Sequence, residues 1–130
     1  MPLEHSTDIM VRYAETDQMG MVHHVSYAVY FEEARTKNLA AAGLPYHLME
    51  ERGVLLPVVE LTLQYLKPAK FGEYVTVKSV ISPPQGARLR VEYRILRGDD
   101  LLVTGSTIHA FMGKNGRPIR PPGDIIAVLS

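Results

Sequence analysis

The sequence predicts an α+β fold in which a curved antiparallel sheet of about five strands wraps around one long central helix. Two observations lead to this prediction. One strand pattern is followed by a long amphipathic helix pattern, and further strand patterns then follow one another with short connections. A helix with a wide apolar stripe has to bury it, and an antiparallel sheet with one apolar face is its natural partner. At 130 residues the chain is expected to form one domain, residues 1–130.

The long helix follows the first strand. Apolar and polar residues alternate over residues 5–13, which predicts a strand, and residues 14–21 are rich in turn-forming types. A helical pattern then runs from about residue 24 to residue 42, where Gly43 ends it. Its apolar stripe contains Tyr27, Tyr30, Phe31 and Ala34. We expect Tyr30 and Phe31 to be part of the core.

Strand patterns dominate the rest of the chain. A short helix is expected over residues 45–53, because Pro favours a helix start and Gly a helix end. The strands that follow are expected at residues 54–66, 74–81, 88–97 and 101–112. Alternation is clearest in 88–97, where charged residues separate Leu89, Val91, Tyr93 and Ile95. The proline-rich residues 117–123 are expected to form an extended tail.

Composition limits the classes of function. Fourteen basic and fourteen acidic residues give a formal net charge of zero, so no overall field attracts nucleic acid or an anionic membrane. The absence of cysteine excludes disulfides and a cysteine nucleophile. No apolar run approaches the roughly 20 residues of a membrane-spanning helix, and the N-terminus does not resemble a secretory signal. We therefore expect a cytoplasmic protein. Exposed sheet edges favour pairing between subunits, which predicts a homodimer or homotetramer.

The loop before the long helix carries the candidate chemistry. The first backbone N–H groups of a helix lack internal acceptors and lie at its positive dipole end, so they can stabilise an oxyanion. Asp17 lies a few residues upstream. A carboxylate there could attack a carbonyl carbon or take a proton from water, which suits acyl transfer from a thioester. On sequence alone, however, an Asp in such a loop is more often a turn former or a helix cap.

The residues around Asp17 resemble a known family. The run RYAETD ending at Asp17, followed by Gly20, Val22, His24 and Tyr27, is similar to the signature of the hydroxybenzoyl-CoA thioesterase-like family, and especially of its YbgC-type acyl-CoA thioesterase branch. Residues 58–73 resemble the same family's second-strand region. The similarity covers residues 7–112.

The resemblance implies a hotdog fold, assembled as dimers and often as tetramers, that hydrolyses acyl-CoA without a metal or cofactor. It implies Asp17 as nucleophile or general base, with the backbone N–H near His24 polarising the thioester carbonyl. At position 23 the family usually carries Tyr or Trp, so His23 puts the choice of acyl group in doubt more than the type of reaction.

Three further residues are candidates for contact with the acyl-CoA substrate. Tyr27 is the aromatic residue of the stripe nearest to the catalytic loop, although such a stripe is more often plain core. Arg88 and Arg90 share one face of a strand and could hold the phosphates of coenzyme A. The lysines of residues 67–70 are the other candidates for this role. A row of arginines on a wet strand face is, on the other hand, often only a solubility feature.

No metal site is expected. His23 and His24 are adjacent, so on a helix they would point about 100° apart and could not bind one metal together. His24 could orient the loop or a water molecule, or could be a satisfied histidine at the helix start. His5, His47 and His109 show no partner pattern and are assigned no role.

Two other functions remain open at this point. A hotdog dehydratase or hydratase also acts on thioesters, but the chain lacks the His-Phe-Pro motif of the fatty-acid dehydratases. A non-catalytic acyl-CoA-binding module of the same fold would need the pocket and the arginines, but not Asp17. Turnover and affinity of an Asp17 variant would separate these functions from hydrolysis.

Overall fold

The computed structural model describes residues 2–130, which form a five-stranded antiparallel sheet with the long helix packed against it. The strands are β1 (Leu3–Met10), β2 (Val58–Tyr65), β3 (Tyr74–Ile81), β4 (Arg88–Arg97) and β5 (Asp100–Ala110). The helices are α1 (Ser26–Ala41), α2 (Tyr46–Glu51) and α3 (Gly123–Leu129). The strand order is β1-β3-β4-β5-β2, so the first two strands of the chain form the two edges of the sheet. The α+β class with a five-stranded antiparallel sheet is confirmed.

The alternation predicted for β4 is confirmed. Leu89, Val91 and Ile95 are fully buried, whereas Arg88 and Arg90 on the opposite face are exposed. Successive side chains of a strand point to opposite faces of its sheet, so the apolar set of β4 lies together on the inner face. The bounds of β3 and β4 agree with the prediction.

Helix α1 buries its aromatic stripe against this inner face, and Tyr30 and Phe31 are core residues as predicted. The Phe31 ring stacks on the Tyr93 ring with centroids 4.1 Å apart and an interplanar angle of 4°. Gly105 of β5 pairs with Tyr93 in the ladder. A Cβ atom at Gly105 would lie 2.5 Å from a Phe31 ring carbon and 2.5 Å from the carbonyl oxygen of Thr62. The close approach of helix to sheet therefore requires glycine here.

Strand β2 is the edge with more apolar exposure. Its residues Val58, Val59, Leu61 and Tyr65 are each between 45% and 50% exposed. Among residues 2–130, β2 pairs with β5 alone, so its other side offers unpaired backbone groups. Within residues 2–130, no helix combines the length and the apolar character needed to cross a membrane.

Several predicted boundaries are wrong, among them that of the last strand, predicted at residues 101–112 and observed at Asp100–Ala110. Three others are wrong for identifiable reasons. The first strand ends at Met10, because a 3-10 turn over Tyr13–Glu15 redirects the chain. The long helix begins at Ser26, since residues 24 and 25 form a turn. Strand β2 begins at Val58, because Pro57 just before it has no N–H to donate to a ladder.

The C-terminal helix α3 is absent from the prediction, which gave residues 117–123 as an extended tail and nothing beyond. In α3, Ile125 and Leu129 are four residues apart and fully buried. Arg52 of the segment after α2 forms a double ion pair with Asp124, with N–O distances of 2.8 and 2.9 Å. A stripe of two apolar residues is too short for periodicity to show, so this helix depends on its tertiary contacts.

Candidate active site

Asp17 closes a tight loop between β1 and α1. Its Oδ1 atom accepts the backbone N–H groups of Met19 at 2.9 Å and Met21 at 3.2 Å. Gly20 takes a φ of +78° at the corner of this loop, a conformation that favours glycine. Within residues 2–130 the Oδ2 atom makes no hydrogen bond, and the side chain is exposed. Asp17 is thus a turn former through one carboxylate oxygen, and the other oxygen remains available for chemistry.

Glu15, the second carboxylate of the loop, has both oxygens engaged. Oε1 accepts the backbone N–H of Arg12 and the hydroxyl of Tyr30, each at 2.9 Å, and Oε2 accepts the Arg12 guanidinium at 3.1 Å. Burial opposes ionisation of Glu15, but hydrogen bonds from Arg12 and Tyr30 lower its pKa on balance. The Glu15 carbonyl accepts the His23 N–H at 2.8 Å and the Ser26 hydroxyl at 3.1 Å. Glu15 therefore fixes the loop against the start of α1, a role that the sequence analysis missed.

The adjacent histidines lie in the turn before α1 and not in the helix. His23 Nδ1 accepts the backbone N–H of Val25 at 3.3 Å, and the two imidazole rings stack with centroids 4.3 Å apart. The expectation that His23 and His24 point about 100° apart is therefore wrong, because no helical rotation separates them. In the part of the chain that the structure describes, the His24 backbone N–H makes no hydrogen bond. It is a donor still available at the start of the helix.

A cavity of about 370 Å³ opens beside this loop. Four residues singled out from the sequence line it: Asp17, His23, His24 and Tyr27. Lys67, one of the lysines named as alternative candidates for the phosphates, also lines it. The rest of the lining comes from residues that were not predicted to meet substrate, which are Met21, Val22, Tyr65, Leu66 and Pro68. The carboxylate and the helix start thus share one cavity, as the sequence analysis expected.

The far wall of the cavity comes from the end of β2 and the segment after it. The Tyr65 hydroxyl donates to the His24 carbonyl at 3.2 Å, and its ring lies 5.6 Å from the Tyr27 ring. The Tyr27 hydroxyl accepts the backbone N–H of Ala69 at 3.2 Å. Burial is the main reason why the pKa of Tyr27 is raised. The alternation of β2 alone could not identify Tyr65 as a wall residue, because the contact spans residues distant in sequence.

A chain of ion pairs holds the segment after β2. Lys67 Nζ lies 2.7 Å from Asp100 Oδ1, and Arg97 contacts both Asp100 at 3.0 Å and Glu73 at 3.0 Å. Hydrogen bonds from Lys67 and then Arg97 lower the pKa of Asp100. The turn between β4 and β5 thereby positions the segment that carries Lys67, which brings a cation to the cavity.

Arg88 and Arg90 line a separate cavity of about 240 Å³ that shares no lining residue with the first. Arg90 is partly engaged, since its Nε lies 3.2 Å from Glu92 Oε1. The structure brings these two arginines together, but within one chain it does not bring them to Asp17. Their contact with coenzyme A stays a prediction.

His109 has partners that the sequence did not reveal. It is fully buried, with Nδ1 3.0 Å from the Leu56 carbonyl and Nε2 2.8 Å from the Thr107 hydroxyl. Thr107 also contacts the Tyr93 hydroxyl at 2.7 Å, and Arg35 donates to that hydroxyl at 3.2 Å. Burial, and then the positive charge of Arg35, lower the pKa of His109 to about 4. This network lies outside the Asp17 cavity. Among residues 2–130, no three His, Cys, Asp or Glu side chains are grouped as metal ligands would be.

Comparison with known proteins agrees with the motif seen in the sequence. Residues 11–129 match the thioesterase-like superfamily. The acyl-CoA thioesterase YbgC of Haemophilus influenzae is 31% identical over 127 residues, which cover 95% of this chain and 93% of that protein. A structure of a hypothetical protein from Thermus thermophilus is 49% identical, with a TM-score of 0.92 over 97% of this chain and 95% of that one.

A 4-hydroxybenzoyl-CoA thioesterase structure shares the fold, with a TM-score of 0.86 at 19% identity over 98% of this chain and 99% of that one. The resemblance of the chain to the hydroxybenzoyl-CoA thioesterase-like family and its YbgC-type branch is confirmed by the match over residues 11–129 and by the YbgC relative. The chain belongs to the thioesterase-like superfamily, and its fold is the hotdog fold.

Proposed function

We propose that the protein hydrolyses the thioester of an acyl-CoA to a free acid and coenzyme A. One observation carries the proposal: the carboxylate of Asp17 and His24, in the turn that leads into α1, line the same cavity. The carboxylate can supply a nucleophile or a base, and the backbone N–H of His24 can stabilise negative charge on the carbonyl oxygen.

Two courses of reaction are compatible with this arrangement. In the first, Asp17 takes a proton from water while the water oxygen bonds to the carbonyl carbon; the tetrahedral oxyanion then collapses, the C–S bond breaks, and the thiolate recovers the proton. In the second, Oδ2 attacks the carbonyl carbon, coenzyme A thiolate leaves, and water hydrolyses the mixed anhydride. In both courses the oxyanion accepts a hydrogen bond from the His24 N–H. Single-turnover hydrolysis in ¹⁸O water tests for the second course: ¹⁸O in the Asp17 carboxylate can come only from attack of water on the Asp17 carbon of the anhydride, whereas the first course places ¹⁸O in the product acid.

Asp17 is assigned this role in preference to Glu15, two residues earlier. Glu15 accepts three hydrogen bonds through its carboxylate and is largely buried, with a side chain 12% exposed. A base must have an open lone pair within reach of the proton it takes. Asp17 has such a lone pair on Oδ2, on a side chain that lines the cavity.

Substrate binding is assigned to both cavities. His23 and Tyr27 would contact the acyl or pantetheine part, and Lys67 lines the same cavity with a positively charged side chain. Arg88 and Arg90 would hold the phosphates of coenzyme A. Because their cavity is separate, we propose that they act on substrate bound at the Asp17 cavity of a second subunit.

A second subunit is supported by the exposed edge of the sheet. The unpaired side of β2 and its exposed apolar residues would be covered by a second copy of the same strand, in a homodimer that could pair further into a homotetramer. Sedimentation equilibrium of the wild type and of a Leu61→Lys variant tests this assembly. A wild type that sediments as a monomer would refute it.

Thiol release by Asp17→Asn is the test of function. We expect kcat to fall by about 10²- to 10⁴-fold, the usual contribution of a positioned base, with little change in affinity for acyl-CoA. Asp99→Asn is the matched control, since Asp99 is an exposed aspartate that does not line the cavity. A panel of short, long and aromatic acyl-CoAs serves as substrates.

Three results would contradict the proposal. Full activity of Asp17→Asn would remove the catalytic role of Asp17. Tight binding by a wild type that releases no thiol would indicate a binding module instead. Formation of an unsaturated or hydrated acyl-CoA without thiol release would indicate a dehydratase or hydratase.

A further inference from the structure

We propose that the Tyr27 hydroxyl is a second hydrogen-bond donor to the thioester carbonyl oxygen, acting together with the His24 backbone N–H. This inference rests on the proposed hydrolysis and adds a catalytic group to it. It gives the hydroxyl of a residue already proposed to contact the substrate a specific role at the reacting atoms.

Tyr27 has the position that this role needs. It lies in the first turn of α1 and lines the cavity that Asp17 and His24 also line. Side chains on a helix lean toward its N-terminus, so the ring extends back over the turn that contains His24. Only 3% of Tyr27 is exposed, so bulk water does not compete strongly for its hydroxyl.

The hydrogen bonds of Tyr27 leave its proton unused. A backbone N–H can only donate, so the bond from Ala69 at 3.2 Å occupies a lone pair on the Tyr27 oxygen. Within residues 2–130, the Tyr27 O–H has no acceptor of its own. A buried donor without an acceptor is unfavourable, and an acceptor that entered the cavity would remove this cost.

The hydroxyl is also fixed in place before any substrate arrives. The Tyr27 ring packs edge-on against Tyr30, with centroids 6.0 Å apart, and against Tyr65 at 5.6 Å. Ala69 is itself anchored, because its carbonyl accepts the N–H of Val22 at 2.9 Å. Burial raises the pKa of Tyr27, which keeps the phenol protonated and able to donate at neutral pH. A donor held in this way stabilises developing charge without reorganisation.

The test is Tyr27→Phe, which keeps the ring and removes the hydroxyl. Loss of one donor to an oxyanion typically lowers kcat by about 10²- to 10³-fold, and we expect an effect of this order with KM nearly unchanged. Tyr46→Phe is the matched control. The Tyr46 hydroxyl also accepts a backbone N–H, that of Leu56 at 3.4 Å, but Tyr46 does not line the cavity. Tyr46→Phe should therefore keep wild-type kcat while losing the same kind of structural bond.

A spectroscopic measurement separates contact with substrate from a structural role. With Asp17→Asn to slow hydrolysis, the stretching frequency of a ¹³C-labelled thioester carbonyl is recorded for the bound acyl-CoA. Adding Tyr27→Phe should shift the band to higher frequency, because a hydrogen bond to the carbonyl is lost. Adding Tyr46→Phe should not move it.

Three outcomes would overturn the inference. An unmoved carbonyl band would show that the hydroxyl does not contact the carbonyl, whatever happens to kcat. A rise in KM alone would place the hydroxyl on the pantetheine arm. If the wild type hydrolyses acyl-CoA and Tyr27→Phe is equally active, the Tyr27 hydroxyl has no catalytic role. The proposed function would still hold in that case.

Discussion

Replacing Gly105 with alanine should destabilise the protein, although alanine is usually the better residue in regular structure. The added Cβ would lie 2.5 Å from a carbon of the Phe31 ring and 2.5 Å from the Thr62 carbonyl oxygen. One of these obstacles is backbone of the neighbouring strand, and the other is a ring already stacked on Tyr93 at 4.1 Å. Neither can move aside without disturbing a packed contact.

The expected net cost is about 2 kcal/mol. Overpacking a core by one methyl group typically costs about 1–3 kcal/mol, and two contacts at 2.5 Å place this site near the upper end of that range. Alanine in place of glycine recovers roughly 0.5–1 kcal/mol of backbone entropy. For a domain of this size, a loss of about 2 kcal/mol corresponds to a decrease in Tm of roughly 6–10 °C. Urea unfolding at one fixed protein concentration should give a lower midpoint with an unchanged m-value.

Gly123→Ala is the control for Gly105→Ala. Among residues 2–130, no heavy atom outside its immediate neighbours lies within 4 Å of the position that a Cβ atom on Gly123 would take, and Gly123 lies at the start of α3. Alanine there should therefore leave stability unchanged or raise it slightly. Phe31→Leu is itself expected to destabilise the protein, but the double variant with Gly105→Ala should lose less stability than the sum of the two single variants, because the smaller side chain frees one of the two obstructed positions. If Gly105→Ala unfolds at the same urea concentration as the wild type, the argument from close approach is refuted.

Two further predictions concern pH and salt. The pKa of His109 lies at about 4 in the folded protein, below its ordinary value of 6.5, so His109 binds its proton more readily in the unfolded chain. Its contribution to stability should be complete above pH 6.5 and be lost as pH falls toward 4, by roughly 3 kcal/mol in total. Between pH 7 and pH 4, urea unfolding of the wild type should show this loss of stability, and His109→Gln should lack the His109 contribution to it. Equal changes in the free energy of unfolding with pH in the two proteins would contradict the prediction. The double variant Arg88→Ala/Arg90→Ala should raise KM for acyl-CoA several-fold at low salt, with kcat unchanged. Its KM should also depend less on ionic strength than that of the wild type. If KM of the variant depends on salt as it does in the wild type, these arginines do not bind coenzyme A.

The sequence predicted what local patterns control. The alternation in β4 defines an inner face without any knowledge of its neighbours, and α1 carries an apolar stripe that must be buried. The loop motif placed Asp17 beside the helix start, where the structure has it. Each of these rests on residues close together in the chain.

The missed features depend on contacts between distant residues. Tyr65 reaches the carbonyl of His24, and His109 reaches that of Leu56, across 41 and 53 positions. Glu15 is tied to Tyr30 in the same way. Neither the types of these residues nor their spacing in the sequence indicates such partners, because only the fold brings them together.

The course of the chain around the Asp17 cavity makes ligand binding sensitive to the whole sheet. β1 and β2 are the two outermost strands, yet the segments that follow them meet: Val22 donates to Ala69, and Phe71 donates to Gly20. They meet because residues 66–73 cross from the end of β2 to β3, which pairs with β1. A molecule bound in the cavity therefore contacts segments attached to both edge strands, and its binding should stabilise the whole sheet against unfolding.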